Sequence, residues 1–261
     1  MLQPLNPPIT GWRDRRVWLV GASSGIGEAL ARELLARGAR VALSARREAP
    51  LRAIAAIGEP GRALALPMDV LDADAARRTQ EAVLAAWGGI DLVVWVAGIY
   101  QPLRAFDLDL EAARRMLRVN VEGVFNGLAC VLPALLAQGH GSVAIVSSVA
   151  GYGGLPKALA YGPSKAALNN LAEALYLDLH PRGLGVHLIC PGFVETPATA
   201  GNDFEMPALI PAAEAARRIV AGFERGDFET HFPRRFTSVL RLLRLLPRRL
   251  YFALLRRVAR P

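Results

Sequence analysis

The sequence predicts an α/β fold: one domain built on a doubly wound parallel sheet, followed by a basic amphipathic helical tail. Three observations lead there. Short, uniformly apolar runs alternate with helical stretches from Arg16 to Cys190. That is the pattern of parallel strands buried on both faces and joined by helical crossovers. A glycine-rich turn, Gly21-Ala-Ser-Ser-Gly25-Ile-Gly27, separates the first strand from the first helix, the context in which such a turn gives a Rossmann-like phosphate cradle. Finally, residues 234–261 hold nine arginines and no acid.

Taken in order, residues 1–12 (MLQPLNPPITGW) are proline-rich and read as an extended arm; no basic region followed by an apolar stretch marks them as a secretory signal. Arg16–Val20 is the first strand, and the helix after the glycine turn stops at Gly38. Val41–Ser44 is the second strand. A helical stretch closed by Gly58 and Gly61 leads to the third, Ala63–Met68. Asp72–Trp87 reads as helix, Ile90–Val96 as strand, and Leu110–Leu136 as a long helical pattern. Ser142–Ser147 and Val186–Cys190 are the fifth and sixth strands, with Lys165–His180 helical between them. Residues 197–211 look like a mobile lid. The main domain is expected to run over 13–233. In the tail, arginines recur at helical spacing on both sides of Pro247, with leucines between, so two short amphipathic helices joined at the proline are expected.

Composition narrows the class. Of 261 residues, 52% are hydrophobic and 21% charged, enough for a sizeable core. The net charge of +8 suggests nucleic acid at first, but its location argues otherwise. Without the nine tail arginines, 22 basic residues face 23 acidic ones. The tail suits an anionic membrane surface, or a contact with the body or a second subunit. Cys130 and Cys190 stand in no metal or disulfide pattern and the four histidines form no cluster, so no metal is expected and a reducing, cytoplasmic setting fits. No run of about 18 apolar residues is present, and no helix is expected to span a membrane.

Tyr161 and Lys165 are spaced i and i+4, so a helix places them on one face. Pro163 suits the first turn of that helix. An ammonium beside a phenol favours the phenolate, and a phenol so tuned can give or take a proton. Ser148 follows an apolar strand and can hold a substrate oxygen opposite Tyr161. The second strand ends in Ser44-Ala45-Arg46-Arg47. An acid there would bind the ribose 2′-hydroxyl of NAD; two guanidiniums suit a 2′-phosphate and point to NADP. Asp69-Val70, after the third strand, can lie near an adenine.

Together these residues resemble the short-chain dehydrogenase/reductase family over roughly residues 13–230. The resemblance rests on GASSGIG, Asp69-Val70, Asn120 in RVNVEG, Ser148, Tyr161-x-x-x-Lys165, and Pro191-Gly192-Phe-Val-Glu-Thr196. It implies a tetrad of Asn120, Ser148, Tyr161 and Lys165. Tyr161 would be the general acid in reduction, Ser148 would bind the carbonyl, and Lys165 would lower the tyrosine pKa and bind the nicotinamide ribose. Asn120 would hold a proton-relaying water. The cofactor would meet Gly21, Ser23, Ser24, Gly25, Ile26, Gly27, Arg46, Arg47, Asp69, Val70, Ala97 and Gly98, and beyond the sixth strand Pro191, Gly192, Val194 and Thr196. A homodimer or homotetramer is implied, and a small carbonyl or alcohol as substrate. One departure stands out: the family's Asn-Asn-Ala-Gly is here Trp95-Val96-Ala97-Gly98, so the hydrogen bonds usual at that turn must be replaced or lost. Tyr100, Val149, Tyr152, Leu155 and Phe193 are the expected pocket residues. They are mostly apolar, and no arginine or lysine is obviously placed for an anionic substrate. The leading expectation is an NADP-dependent oxidoreductase on a hydrophobic carbonyl. An epimerase or dehydratase on the same fold, or a cofactor-binding sensor or scaffold without turnover, are the alternatives; the complete tetrad argues against the last.

Overall fold

A computed structural model describes residues 3–202 and 205–258. Seven parallel strands form one sheet in the order β3-β2-β1-β4-β5-β6-β9. They are β1 (Arg16–Val20), β2 (Arg40–Ser44), β3 (Ala63–Ala65), β4 (Leu92–Trp95), β5 (Ser142–Val146), β6 (Gly185–Pro191) and β9 (Glu229–Phe232). A two-stranded pair, β7 (Val194–Glu195) and β8 (Ile210–Pro211), lies apart. The chain runs outward from β1 to β3, then returns to β4 beside β1. That reversal opens a crevice at the carboxyl ends of β1 and β4, where open α/β sheets bind ligands.

The strands bury both faces because successive side chains point to opposite sides. Val17 and Leu19 of β1 join one core with Leu30 and Leu34 of α1 (Gly25–Ala36) and Ile219 and Phe223 of α7 (Ala212–Arg225). Trp18 and Val20 join the other, with Val83 of α3 (Ala73–Trp87), Val131 of α5 (Gly123–Gln138) and Leu168 of α6 (Tyr161–Leu179). Each such side chain contributes about 1.5–3 kcal/mol on full burial.

Helix α7 and strand β9 were not among the expected elements. Strand β9 is four residues long with three polar side chains, and alternates half-buried and buried at the sheet edge, a weak pattern in sequence. The long helical pattern is realised as α4 (Leu110–Leu117), a π-helical turn (Arg118–Glu122) and α5. This continuous run is long and apolar enough to cross a membrane, against the expectation from sequence. Its stripe Val124, Leu128, Val131 and Leu135 is buried in the core beside the sheet, which marks it as a core helix here.

The described part of the N-terminal segment docks on the body. Asn6 is buried; its amide donates to the carbonyl of Val186 at 2.7 Å and its carbonyl accepts from Val186 N–H at 2.8 Å. Ile9 and Trp12 pack into the first core. The tail forms α8 (Arg234–Leu243) and α9 (Arg248–Val258). Thr237, Tyr251 and Leu255 are buried, and Arg241 pairs with Glu229 at 3.4 Å, so the inner face packs on the body. Val239, Leu242, Leu245, Leu250 and Phe252 stay exposed on the outer one.

Candidate active site

The glycine turn after β1 lies against the turn after β4. Gly21 has φ +95°, and a Cβ there would stand 2.5 Å from the amide nitrogen of Ala97. Only glycine permits that approach. A Cβ at Gly27 would collide with the carbonyl of Gly21, so Gly27 sets how closely α1 meets the turn; Gly27 itself is buried. The space this leaves opens into a cavity of about 1630 Å³, lined by Gly21, Ser23, Ser24, Gly25 and Ile26. Arg46 and Arg47 border it too, with Asp69, Val70, Ala97 and Gly98. Arg47 is held to the turn by Nη2 donating to the Ser23 carbonyl at 3.2 Å. Asp69 Oδ1 accepts from Leu71 N–H at 3.0 Å.

Ser148, Tyr161 and Lys165 line the same cavity. Tyr161 opens α6 and Lys165 follows one turn on. Burial pushes the Tyr161 phenol up to about 12, against a hydrogen bond with Ser148 that pulls it down. The Ser148 hydroxyl also accepts from Ala150 N–H at 3.1 Å. Lys165 Nζ donates to the Val146 carbonyl at 2.9 Å and stands 5.6 Å from the centre of the Tyr161 ring. Burial lowers its ammonium to about 8. Desolvation is the larger influence on the phenol here, and the Lys165 ammonium is turned to a backbone carbonyl.

Asn120 sits in the π-helical turn and is fully buried. Its Oδ1 accepts from Ile99 N–H at 2.7 Å; its Nδ2 donates to the Ile99 carbonyl and to Ser164 Oγ, both at 3.0 Å. Asn120 thus lies behind Gly98, bracing the turn after β4, rather than on the cavity wall. This helps to offset the missing asparagines at 95 and 96. Val96 and Ala97 N–H groups also donate to the Val20 carbonyl at 2.8 and 2.9 Å.

Tyr100, Val149, Leu155 and Phe193 reach the cavity, as do Pro191, Gly192, Val194 and Thr196. Tyr152 does not. It packs against the second core, and its hydroxyl donates to Glu229, the partner of Arg241. The cavity also takes residues the sequence reading passed over. Phe236, Leu240 and Leu255 bring the tail onto its wall, and Phe236 lies 5.8 Å from Phe193 between ring centres. Phe236 and Leu240 are spaced i and i+4, the one signal that could have marked a shared inward face. Arg104, Arg115 and Lys157 add three cations, correcting the expectation of a pocket without them. Among the described residues no group of three or more His, Cys, Asp or Glu could hold a metal ion.

This sheet, turn and triad define a nicotinamide-cofactor oxidoreductase fold, and comparison with known proteins gives the family. The short chain dehydrogenase model matches residues 15–206. An uncharacterized oxidoreductase of Myxococcus xanthus is 37% identical, covering 94% of this chain and 97% of that protein. The cis-4-hydroxycyclohexanecarboxylate dehydrogenase of Sinomonas cyclohexanicum is 32% identical over 82% of this chain and 85% of its own. A short-chain dehydrogenase structure from Streptomyces avermitilis superposes with a TM-score of 0.79 at 26% identity, covering 94% of this chain and 98% of that one. The chain belongs to the short-chain dehydrogenase family, whose members bind a nicotinamide cofactor.

Proposed function

We propose that the protein is an NADP-dependent oxidoreductase that interconverts a carbonyl and an alcohol on a hydrophobic substrate. The observation that carries this reading is Tyr161: a half-buried phenol on the wall of the cavity, at the start of α6, with Ser148 and Lys165 on the same wall. A protonated phenol can give its proton to the oxygen of a carbonyl being reduced, and the phenolate can take it back in oxidation. Ser148 would orient that oxygen. The charged Lys165 would favour the phenolate as it forms, and Asn120 would keep the turn beside them in place. The nicotinamide, when bound, supplies or accepts the hydride.

The cradle suits such a cofactor. Gly21 leaves space that a side chain would fill, and Arg46 and Arg47 line the cavity where a 2′-phosphate would need cations. The substrate end is largely apolar, with Leu155, Phe193, Phe236 and Leu240 on its wall. One relative's name specifies a cyclic hydroxy acid, an alcohol on an apolar ring.

The reading extends to organisation. Residues 1–12 form the arm, 13–233 the catalytic domain and 234–261 the tail. Leu117, Phe125, Leu136 and Leu177 are exposed on α4, α5 and α6, which favours a homodimer or homotetramer. The setting is cytoplasmic, and the arginine-rich tail with its exposed leucines suits peripheral contact with an anionic inner membrane surface. NADPH oxidation over aldehydes, ketones and 3-oxoacyl compounds tests the reaction. Turnover is expected with at least one class, and Tyr161→Phe is expected to lose it by about a hundredfold or more while NADPH still binds. Turnover within a few fold of wild type in that variant would remove Tyr161 from the chemistry.

A further inference from the structure

We propose that the substrate carries a carboxylate, held by Arg104, Arg115 and Lys157. This rests on the carbonyl–alcohol reading above and adds the anionic group by which the substrate is recognised.

The three cations belong to the substrate end of the cavity. Tyr100 stands edge-on to Tyr161 with ring centres 5.0 Å apart, and the chain then runs directly through Gln101 to Arg104. Arg115 of α4 donates through Nη2 to Gln101 Oε1 at 2.9 Å. Leu103 N–H donates to the Lys157 carbonyl at 3.0 Å, and Leu159 N–H to the Leu103 carbonyl at 3.3 Å. These bonds clip the Arg104 and Lys157 loops side by side. Arg46 and Arg47 lie elsewhere, after β2 and against the glycine turn.

Two further features single out this wall. Lys157 has φ +60°, a left-handed conformation uncommon for lysine that persists only where the surroundings impose it. A second cavity of about 210 Å³ shares Arg104, Leu155, Pro156 and Lys157 with the large one, its remaining wall supplied by Leu103, Ala105, Phe106 and Leu159. Arg104 stacks over Phe106 at 5.6 Å from the ring centre, which orients its guanidinium. An apolar niche lined in part by the stems of Arg104 and Lys157, beside a cavity that both residues also border, matches an apolar chain or ring ending in a carboxylate. Among the described residues, the acids on the large cavity's wall are Asp69, turned into its own loop, and Glu205. The neighbouring Glu111 pairs with Arg114 at 2.7 Å and leaves Arg115 to the cavity.

Calorimetric titration of the NADP-loaded protein, which cannot reduce a ketone, with 4-oxocyclohexanecarboxylate, 9-oxononanoate and their methyl esters tests this. At least one acid is expected to bind about tenfold or more tightly than its ester, the effect of a charge-assisted hydrogen bond or two. In the Arg104→Gln, Lys157→Gln double variant that preference is expected to fall to within about twofold, with NADP affinity unchanged; Lys157→Gln alone and Arg115→Gln are expected to fall between. Esters binding as well as acids, no binding of either acid, or a preference that survives the substitutions would overturn the proposal. Loss of NADP binding in the wild type would instead count against the cofactor reading on which it rests.

Discussion

Trp95 fills the space that Gly127 leaves open. A Cβ at Gly127 would lie deep inside the contact distance of the indole, which also packs edge-on to Trp18 at 6.3 Å between ring centres. Strand β4 therefore turns Trp95 away from the cofactor crevice into the helix-covered core, where an asparagine is the usual residue of the family turn. The substitution at 95 is matched by the glycine facing it from α5. Gly127→Ala is expected to destabilise the protein by about 1–3 kcal/mol through overpacking, read as a lower urea midpoint at unchanged m-value. A midpoint equal to wild type would mean that the indole moves freely and the pairing has no energetic weight.

Cofactor choice is expected to rest on Arg46. Both guanidiniums after β2 line the cavity, but Arg47 is already bonded to the Ser23 carbonyl. Arg46→Ala is expected to weaken NADPH by about tenfold or more and to leave NADH nearly unchanged, the loss of one charge-assisted contact to phosphate. Fluorescence titration of both cofactors decides it; equal affinities in the wild type would rule the preference out.

The pH profile of reduction is expected to fall as pH rises through about 8. Burial lowers the Lys165 ammonium to about 8, so it is charged below that pH and neutral above it. Tyr161, pushed up to about 12, keeps its proton across the same range. The loss should therefore track lysine alone in kcat/KM. Lys165→Arg, charged throughout, is expected to remove the inflection near 8 even though its activity is lower. A wild-type profile flat from neutrality to pH 9 would contradict the assignment.

The tail presents two faces, and each has its own expected effect. Leu255 and Phe236 help to enclose the cavity, while Leu242, Leu245 and Phe252 are exposed among arginines. Vesicles containing anionic lipid are expected to co-sediment the protein and neutral ones not, with binding lost at high salt. Leu242→Glu, Leu245→Glu is expected to abolish sedimentation without changing turnover of a water-soluble substrate. If the wild type ignores anionic vesicles while the double variant alters its oligomeric mass, the outer face is a protein contact instead.

Much of this protein is determined within short stretches of chain. The i, i+4 spacing of Tyr161 and Lys165 acquires its meaning from the helical repeat alone. The glycine turn needs only its neighbours, a strand before and a helix after, and alternating apolar runs announce a parallel sheet without reference to distant residues. What those stretches cannot specify is which surfaces meet. Tyr152 looks like a pocket residue until β9, a short edge strand, brings Glu229 to its hydroxyl. Arg104, Arg115 and Lys157 are separated by up to 53 positions in the chain and come to line one cavity through tertiary contacts such as Leu103 with Lys157 and Arg115 with Gln101. The orientation of Lys165 toward Val146, and the use of both ends of Asn120 on Ile99 and Ser164, likewise depend on contacts across the fold. Local periodicity is written in backbone geometry, which repeats every few residues; desolvation and partner choice arise only when remote segments close around a group and exclude water.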